Sequence, residues 1–164
     1  MNVLIPLIFN TTIMKFIAKV SFASLWRVFL VTSLCIVTFS AVASALQIGE
    51  KYGGGKIVYI DATGNHGLIA AKADLPGTYY NWDAAKEACD NFVADCSSDW
   101  YLPSKEELNK LYLTKGSVGG FVYGSYWSST PRSADIAWYQ HFGSGTQGGN
   151  YKTYELRVRP VRVF

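Results

Sequence analysis

Three stretches near the C-terminus decide how this chain is read: Tyr126-Trp-Ser-Ser-Thr130, Ala137-Trp-Tyr-Gln-His-Phe142 and Arg157-Val-Arg-Pro-Val-Arg-Val-Phe164. Aromatic and branched residues alternate there with polar ones, and Gly and Ser interrupt at intervals. That pattern predicts short antiparallel strands joined by tight turns. Between Ile136 and Phe142 a period of two puts Trp138, Gln140 and Phe142 on one face and Ala137, Tyr139 and His141 on the other. One face is expected to anchor the strand and the second to meet solvent.

Working outward, Gly143-Ser-Gly145 reads as a turn leading to a final strand. In that strand Leu156 and Val158 share one phase, Val161 and Val163 share the other, and Pro160 marks a bulge or edge where the phase slips. Upstream, Ser104 followed by Glu107 makes a capping box that opens a helix. Leu108, Leu111 and Tyr112 form its buried stripe, Glu106 pairs with Lys110 outside, and Gly116 ends it. An earlier helix starts near Asn81 with the stripe Trp82, Ala85, Cys89 and Phe92, and with Lys86 and Asp90 on its solvated side. Before it, Lys56–Asp61 and Gly67–Ala71 read as two strands of a hairpin whose turn contains Gly64 and Asn65. The order is an N-terminal hairpin, two helices and a strand-rich C-terminal half, which defines an α+β domain.

The first third is different material. Lys15, Lys19 and Arg27 precede an uncharged apolar run from Val28 to Ala45, and Ala43-Ser44-Ala45 supplies a small-residue cleavage site. This is the order of a secretory signal peptide over residues 1–45, leaving a domain of residues 46–164. An uncleaved membrane anchor and a lipoprotein signal at Cys35 are the alternatives. Three of the fifteen Lys and Arg fall in this segment, and the remaining twelve balance the twelve Asp and Glu. A neutral domain gives no reason to expect a nucleic-acid partner. Export makes Cys89 and Cys96 candidates for a disulfide; the other reading is a buried Cys89 and a free Cys96.

Enzyme signatures are sparse: there is no HExxH, GxSxG or P-loop lysine. Gly143-Ser-Gly-Thr-Gln-Gly148 matches GxGxxG, but no helical pattern follows it. Asp61, Thr63 and Asn65 lack the closing acidic ligand of a calcium loop and read as a turn. His66 and His141 have no carboxylate or thiolate cluster beside them, so no metal and no cofactor are expected. Arg157, Arg159 and Arg162 are read as partners of carboxylates whose stems pack, in preference to an anion-binding stripe. Tyr139, His141, Thr146, Tyr151 and Tyr154 form a Tyr-bearing outward set of the kind that contact surfaces use.

Ile48-Gly-Glu-Lys-Tyr-Gly-Gly-Gly55, His66-Gly-Leu-Ile-Ala-Ala71, Asp99-Trp-Tyr-Leu-Pro-Ser-Lys-Glu-Glu-Leu108, Tyr126-Trp-Ser-Ser-Thr130 and Arg157-Val-Arg-Pro-Val-Arg162 form a set of motifs. Together they resemble the Lcl C-terminal domain family, which is named for a collagen-like adhesin. The resemblance implies a C-type-lectin-like fold and ligand binding; the adhesin binds sulfated polysaccharides, and its collagen-like repeat has no counterpart here. The C-terminal stretch is also similar to the variable region of proteins targeted by diversity-generating retroelements. By that similarity Trp127, Trp138, Gln140, Phe142, Gln147 and Lys152 are framework. Arg132, Ser133, Asp135, Tyr139, His141, Ser144, Thr146, Asn150, Tyr151, Tyr154 and Glu155 are the ligand-binding positions. The calcium-binding tripeptides of carbohydrate-binding C-type lectins are missing, which implies calcium-independent binding.

The expected function is therefore an exported, non-enzymatic ligand-binding module at the cell surface, in the periplasm or outside the cell, with an unknown protein or glycan as ligand. A structural or assembly protein of the envelope is the alternative. A relative of the formylglycine-generating enzymes is a third reading, and it would require a reactive cysteine pair.

Overall fold

The computed structural model of the chain describes residues 45–77 and 79–164, so the signal peptide over residues 1–45, except its last residue, and the alternatives for that segment lie outside the described residues. Seven strands and two helices follow one another in the described part. They are β1 (Lys51–Tyr52), β2 (Gly55–Ile60), β3 (Gly67–Ala71), α1 (Trp82–Asp90), α2 (Lys105–Val118), β4 (Ser125–Pro131), β5 (Ile136–His141), β6 (Gln147–Tyr151) and β7 (Val161–Val163). Two antiparallel sheets result, one in the order β1-β2-β3-β7 and the other in the order β4-β5-β6. The α+β reading holds.

The hairpin β2-β3 forms as its sequence predicts. Asp61 Oδ1 accepts from the Thr63 hydroxyl at 2.7 Å and from the Thr63 and Gly64 amides, and Gly64 takes φ +77°, so these residues make a side-chain-capped turn. Pairing of β3 with β7 then brings the C-terminal segment back to the hairpin, with Leu68 opposite Val163 and Ala70 opposite Val161. Val58, Leu68, Ala70 and Val161 pack on Leu108 and Leu111 of α2, and Tyr126 of β4 and Phe142, just after β5, join the same core. Full burial of each such side chain is worth about 1.5 to 3 kcal/mol. The other face of the first sheet covers Trp100 with Ile69 and Ala71.

Both helices start where their caps predict. Asn81 Oδ1 accepts from Ala84 N at 2.9 Å, and Ser104 and Glu107 satisfy each other's backbone amides at 3.2 and 2.8 Å. Two local expectations need correction. First, α2 runs past Gly116 to Val118, because Val118 is buried in the core and the turn closes only at Gly119, whose N–H donates to Lys115 O. Second, Lys110 sits 3.8 Å from the Tyr59 ring centre and makes no ion pair with Glu106. On the solvated side of α1, Lys86 pairs with Asp83 at 2.9 Å and lies over the Trp82 ring.

No disulfide joins Cys89 and Cys96. Cys89 points from α1 into the core beside Ala85 and Leu102, and burial pushes its thiol well above the ordinary range. Cys96 is exposed in a turn closed by reciprocal Ala94–Ser97 bonds, with Asp95 at φ +52° and Cys96 at φ +60°. A helix side chain directed inward and a turn side chain directed outward cannot meet without backbone movement. The even cysteine count was a misleading guide.

The C-terminal arginines behave as carboxylate partners. Arg159 is buried with its Nε 2.7 Å from Asp74 Oδ1, Arg162 binds Asp99 at 2.8 and 3.2 Å, and Arg157 Nη1 lies 3.7 Å from Asp74. Pro160 sits at the entry to β7, where its carbonyl accepts from Ala71 N. The stretch before it is no continuous strand: Leu156 bridges Tyr80 and Arg157 bridges Tyr126. The residues of the expected final strand are thus divided between these bridges and β7. A separate strand, β6, precedes them.

Candidate functional site

The candidate site is built on the second sheet. Strict alternation holds along β5, but neither of its faces is free. Gln140 is buried and donates to Asn109 Oδ1 at 3.0 Å, and Trp138 on the same face lies under α2 with Lys105 Nζ 3.8 Å from its ring centre. The opposite face carries Ala137 and Tyr139 into a second core with Trp82, Trp127, Leu102 and Val158. The expected solvent face is therefore packed under α1 and the 156–158 segment. A period of two identifies two faces and cannot reveal that each has a cover.

What is exposed is the rim of this sheet. After β4 the chain turns tightly, with Arg132 N and Ser133 N both donating to Ile136 O, at 2.8 and 3.0 Å. Lys152 fixes the loop from the other side: its N–H donates to Asp135 O, its Nζ to Ala134 O at 2.7 Å, and its carbonyl accepts from Trp82 N. One residue thereby ties the loop, β6 and the start of α1 together. Tyr151 and Tyr154 follow, 57% and 56% exposed, with ring centres 6.1 Å apart and Tyr154 N closing a turn on Tyr151 O. A groove of about 420 Å³ opens between Asp83, Ala134, Asp135, Tyr151, Lys152 and Thr153.

Ten of the eleven expected ligand-binding residues fall into two groups. Arg132, Ser133, Asp135, Asn150, Tyr151, Tyr154 and Glu155 gather at the Ile136 end of β5, and all but Asn150 are exposed. His141, Ser144 and Thr146 lie at the other end, about 17 Å away at the usual rise of a strand. There His141 Nδ1 accepts from Ser144 N at 3.1 Å, and Ser144 Oγ donates to Thr146 Oγ1 at 3.0 Å. These three residues stitch the β5–β6 turn, and Tyr123 packs edge-on against His141. Tyr139 belongs to neither group: it is partly buried, and its ring crosses Gly148.

Several residues of the first group's surroundings were invisible in the sequence. Lys105 comes from the first turn of α2, and Asp83 from the first turn of α1, where the Lys86 hydrogen bond holds its carboxyl below the ordinary value. Arg132 lies across Gly149, with its Cζ 5.0 Å from the Trp138 ring centre. Among the described residues no three His, Cys, Asp or Glu stand close enough to hold a metal ion, and no helix is long and apolar enough to cross a membrane.

A mixed α+β domain with a rigid two-sheet core and a polar, Tyr-bearing rim has the make-up of a ligand-binding module. Residues 62–162 match the family model of the Lcl C-terminal domain, and the chain belongs to that family. A search of the curated proteins finds no match.

Proposed function

We propose that this chain is an exported, non-enzymatic ligand-binding module of C-type-lectin-like fold that works as an adhesin or receptor-binding protein without calcium. The observation that carries the reading is a groove lined by Asp135 and Tyr151, with exposed Tyr154 beside Tyr151 and with Arg132 and Ser133 in the turn that leads to Asp135, on loops held by Lys152. Rigid supports beneath exposed Tyr, Ser and Arg lower the entropy lost on binding. The likeness of these positions to the diversified residues of retroelement target proteins supports the same surface. Burial of Cys89 argues against cysteine-pair chemistry of the formylglycine-generating kind.

The test is a screen of the protein on glycan and protein arrays, with and without chelator. Binding that survives chelation and names one ligand class is the expected result. Binding that vanishes with chelator contradicts calcium independence. No binding on either array favours an assembly role in the cell envelope.

A further inference from the structure

Among the described residues the rim has one open edge. In the second sheet the outer side of β4 is covered, because Trp127 N donates to Arg157 O and Arg157 N to Ser125 O. In the first sheet β7 exchanges bonds with Tyr101, and β1 is only two residues long. Among the described residues the outer side of β6 has no such cover. His141 N donates to Thr146 O and Lys152 N to Asp135 O, which fixes the phase of the β5–β6 ladder. In that phase Gly148 and Asn150 face β5, while Gln147 and Gly149 point their N–H and C=O outward, where no backbone bond to another described segment meets them.

Native edges are usually guarded by Pro, by Lys, by a bulge or by shortness. Strand β6 reads Gln147-Gly-Gly-Asn-Tyr151 and pairs with β5 in unbroken register over five residues. It has none of these guards. Beside its midpoint stand two cations without a carboxylate partner among the described residues: Lys105, with Nζ 3.8 Å from the Trp138 ring centre, and Arg132, lying across Gly149. Gln147 holds this arrangement in place, because its Nε2 donates to Lys105 O at 3.0 Å and to Gln140 Oε1 at 3.2 Å. Lys105 is also the first residue of α2, where the helix dipole disfavours a positive charge. A cation that opposes its local rule and has an aromatic ring but no carboxylate beside it is a candidate for a functional position.

We infer that the outer edge of β6 pairs with an extended, acidic segment of a partner protein, whose backbone bonds to Gln147 and Gly149 and whose carboxylates meet Lys105 and Arg132 beside Trp138. The inference rests on the proposed contact surface and names its ligand class. A strand offers donors and acceptors at the spacing that Gln147 and Gly149 present, which a sugar chain does not. A second copy of this chain would set cation against cation across the same edge.

The experiment uses the full chain labelled with nitrogen-15 and a blocked peptide of alternating Glu and Val. Three comparison probes are the same peptide with Lys for Glu, the acidic peptide with every amide N-methylated, and a sulfated oligosaccharide of similar charge. The acidic peptide is expected to bind and to shift the Gln147 and Gly149 amide signals. The pair Lys105→Gln with Arg132→Gln is expected to weaken it about tenfold, and the Lys and N-methylated peptides to bind poorly. Equal binding of the N-methylated peptide would remove the ladder, and shifts that follow protein concentration alone would mean self-pairing; either overturns the inference. Binding of the oligosaccharide without the peptide overturns the ligand class but leaves the contact surface standing. Binding of neither probe overturns the inference, while the array screen decides the contact surface separately.

Discussion

Arg159 and Asp74 form the central polar contact of the fold, with the guanidinium entirely enclosed and its Nε 2.7 Å from the Asp74 carboxylate. The same guanidinium donates to Ala71 O at 3.0 Å and to Gly120 O, and it lies 4.2 Å from the Phe121 ring centre. Tyr126 completes the arrangement by donating to Asp74 Oδ2 at 2.8 Å. The C-terminal segment, the chain after β3 and the chain after α2 are therefore tied at one point beneath the second sheet. A buried charge of this kind is held by the completeness of its partners.

Removing one member should be severe. Arg159→Ala is expected to lower stability by about 3 to 5 kcal/mol, because two carbonyls lose their donor and Asp74 loses its nearest cation. Denaturant unfolding of Arg159→Ala, Asp74→Ala and the double variant checks this. The double variant should lose clearly less than the sum of the two single losses; simple additivity would contradict the coupling.

The start of α2 rests on its capping box, so Ser104→Ala is expected to lose about 1 kcal/mol. Glu107 also accepts from the Tyr101 hydroxyl at 2.7 Å, so Glu107→Ala should lose more than Ser104→Ala. Thermal unfolding of the two variants measures the order.

Alkaline stability should be limited by tyrosines. Burial raises the Tyr126 phenol from 10.0 to about 12, and burial together with Glu107 raises that of Tyr101. A raised folded value means that the unfolded chain ionises first. The contribution is complete below pH 10 and is lost as pH rises towards 12. Unfolding followed across that window should show declining stability for the native chain and a shallower decline for Tyr126→Phe.

The thiols should differ sharply. Of the two thiols among the described residues, Cys96 is expected to react with a thiol reagent under native, non-reducing conditions, and Cys89 only after denaturation. If neither Cys96 nor Cys89 reacted, even on unfolding, the disulfide would be restored.

Much of the fold was legible in local sequence. Asn81, Ser104 and Glu107 announced both helix starts, and the Asp61-to-His66 turn announced the hairpin, because capping and turn formation involve only neighbouring residues. What was hidden depended on distant packing. Tyr139 obeys the period of two but is covered by α1 and the 156–158 segment, which no periodicity can express. Strand β6 contains two adjacent glycines and little apolar signal, so only its pairing with β5 makes it a strand. Lys105 reaches Trp138 across 33 positions of sequence through the placement of α2. A lysine at the first position of a capped helix was the one local sign that it serves something else.

The separation of ten of the eleven residues into two groups offers the most direct test of the contact surface. One triple variant carries alanine at Arg132, Tyr151 and Tyr154, and a second carries alanine at His141, Ser144 and Thr146. Both are compared with the native chain by titration against whichever array ligand binds most tightly. The account predicts at least about a tenfold loss of affinity in the first variant, from removal of exposed Tyr and Arg contacts, with much smaller change in the second. Undiminished binding by the first variant, or a loss confined to the second, would contradict it.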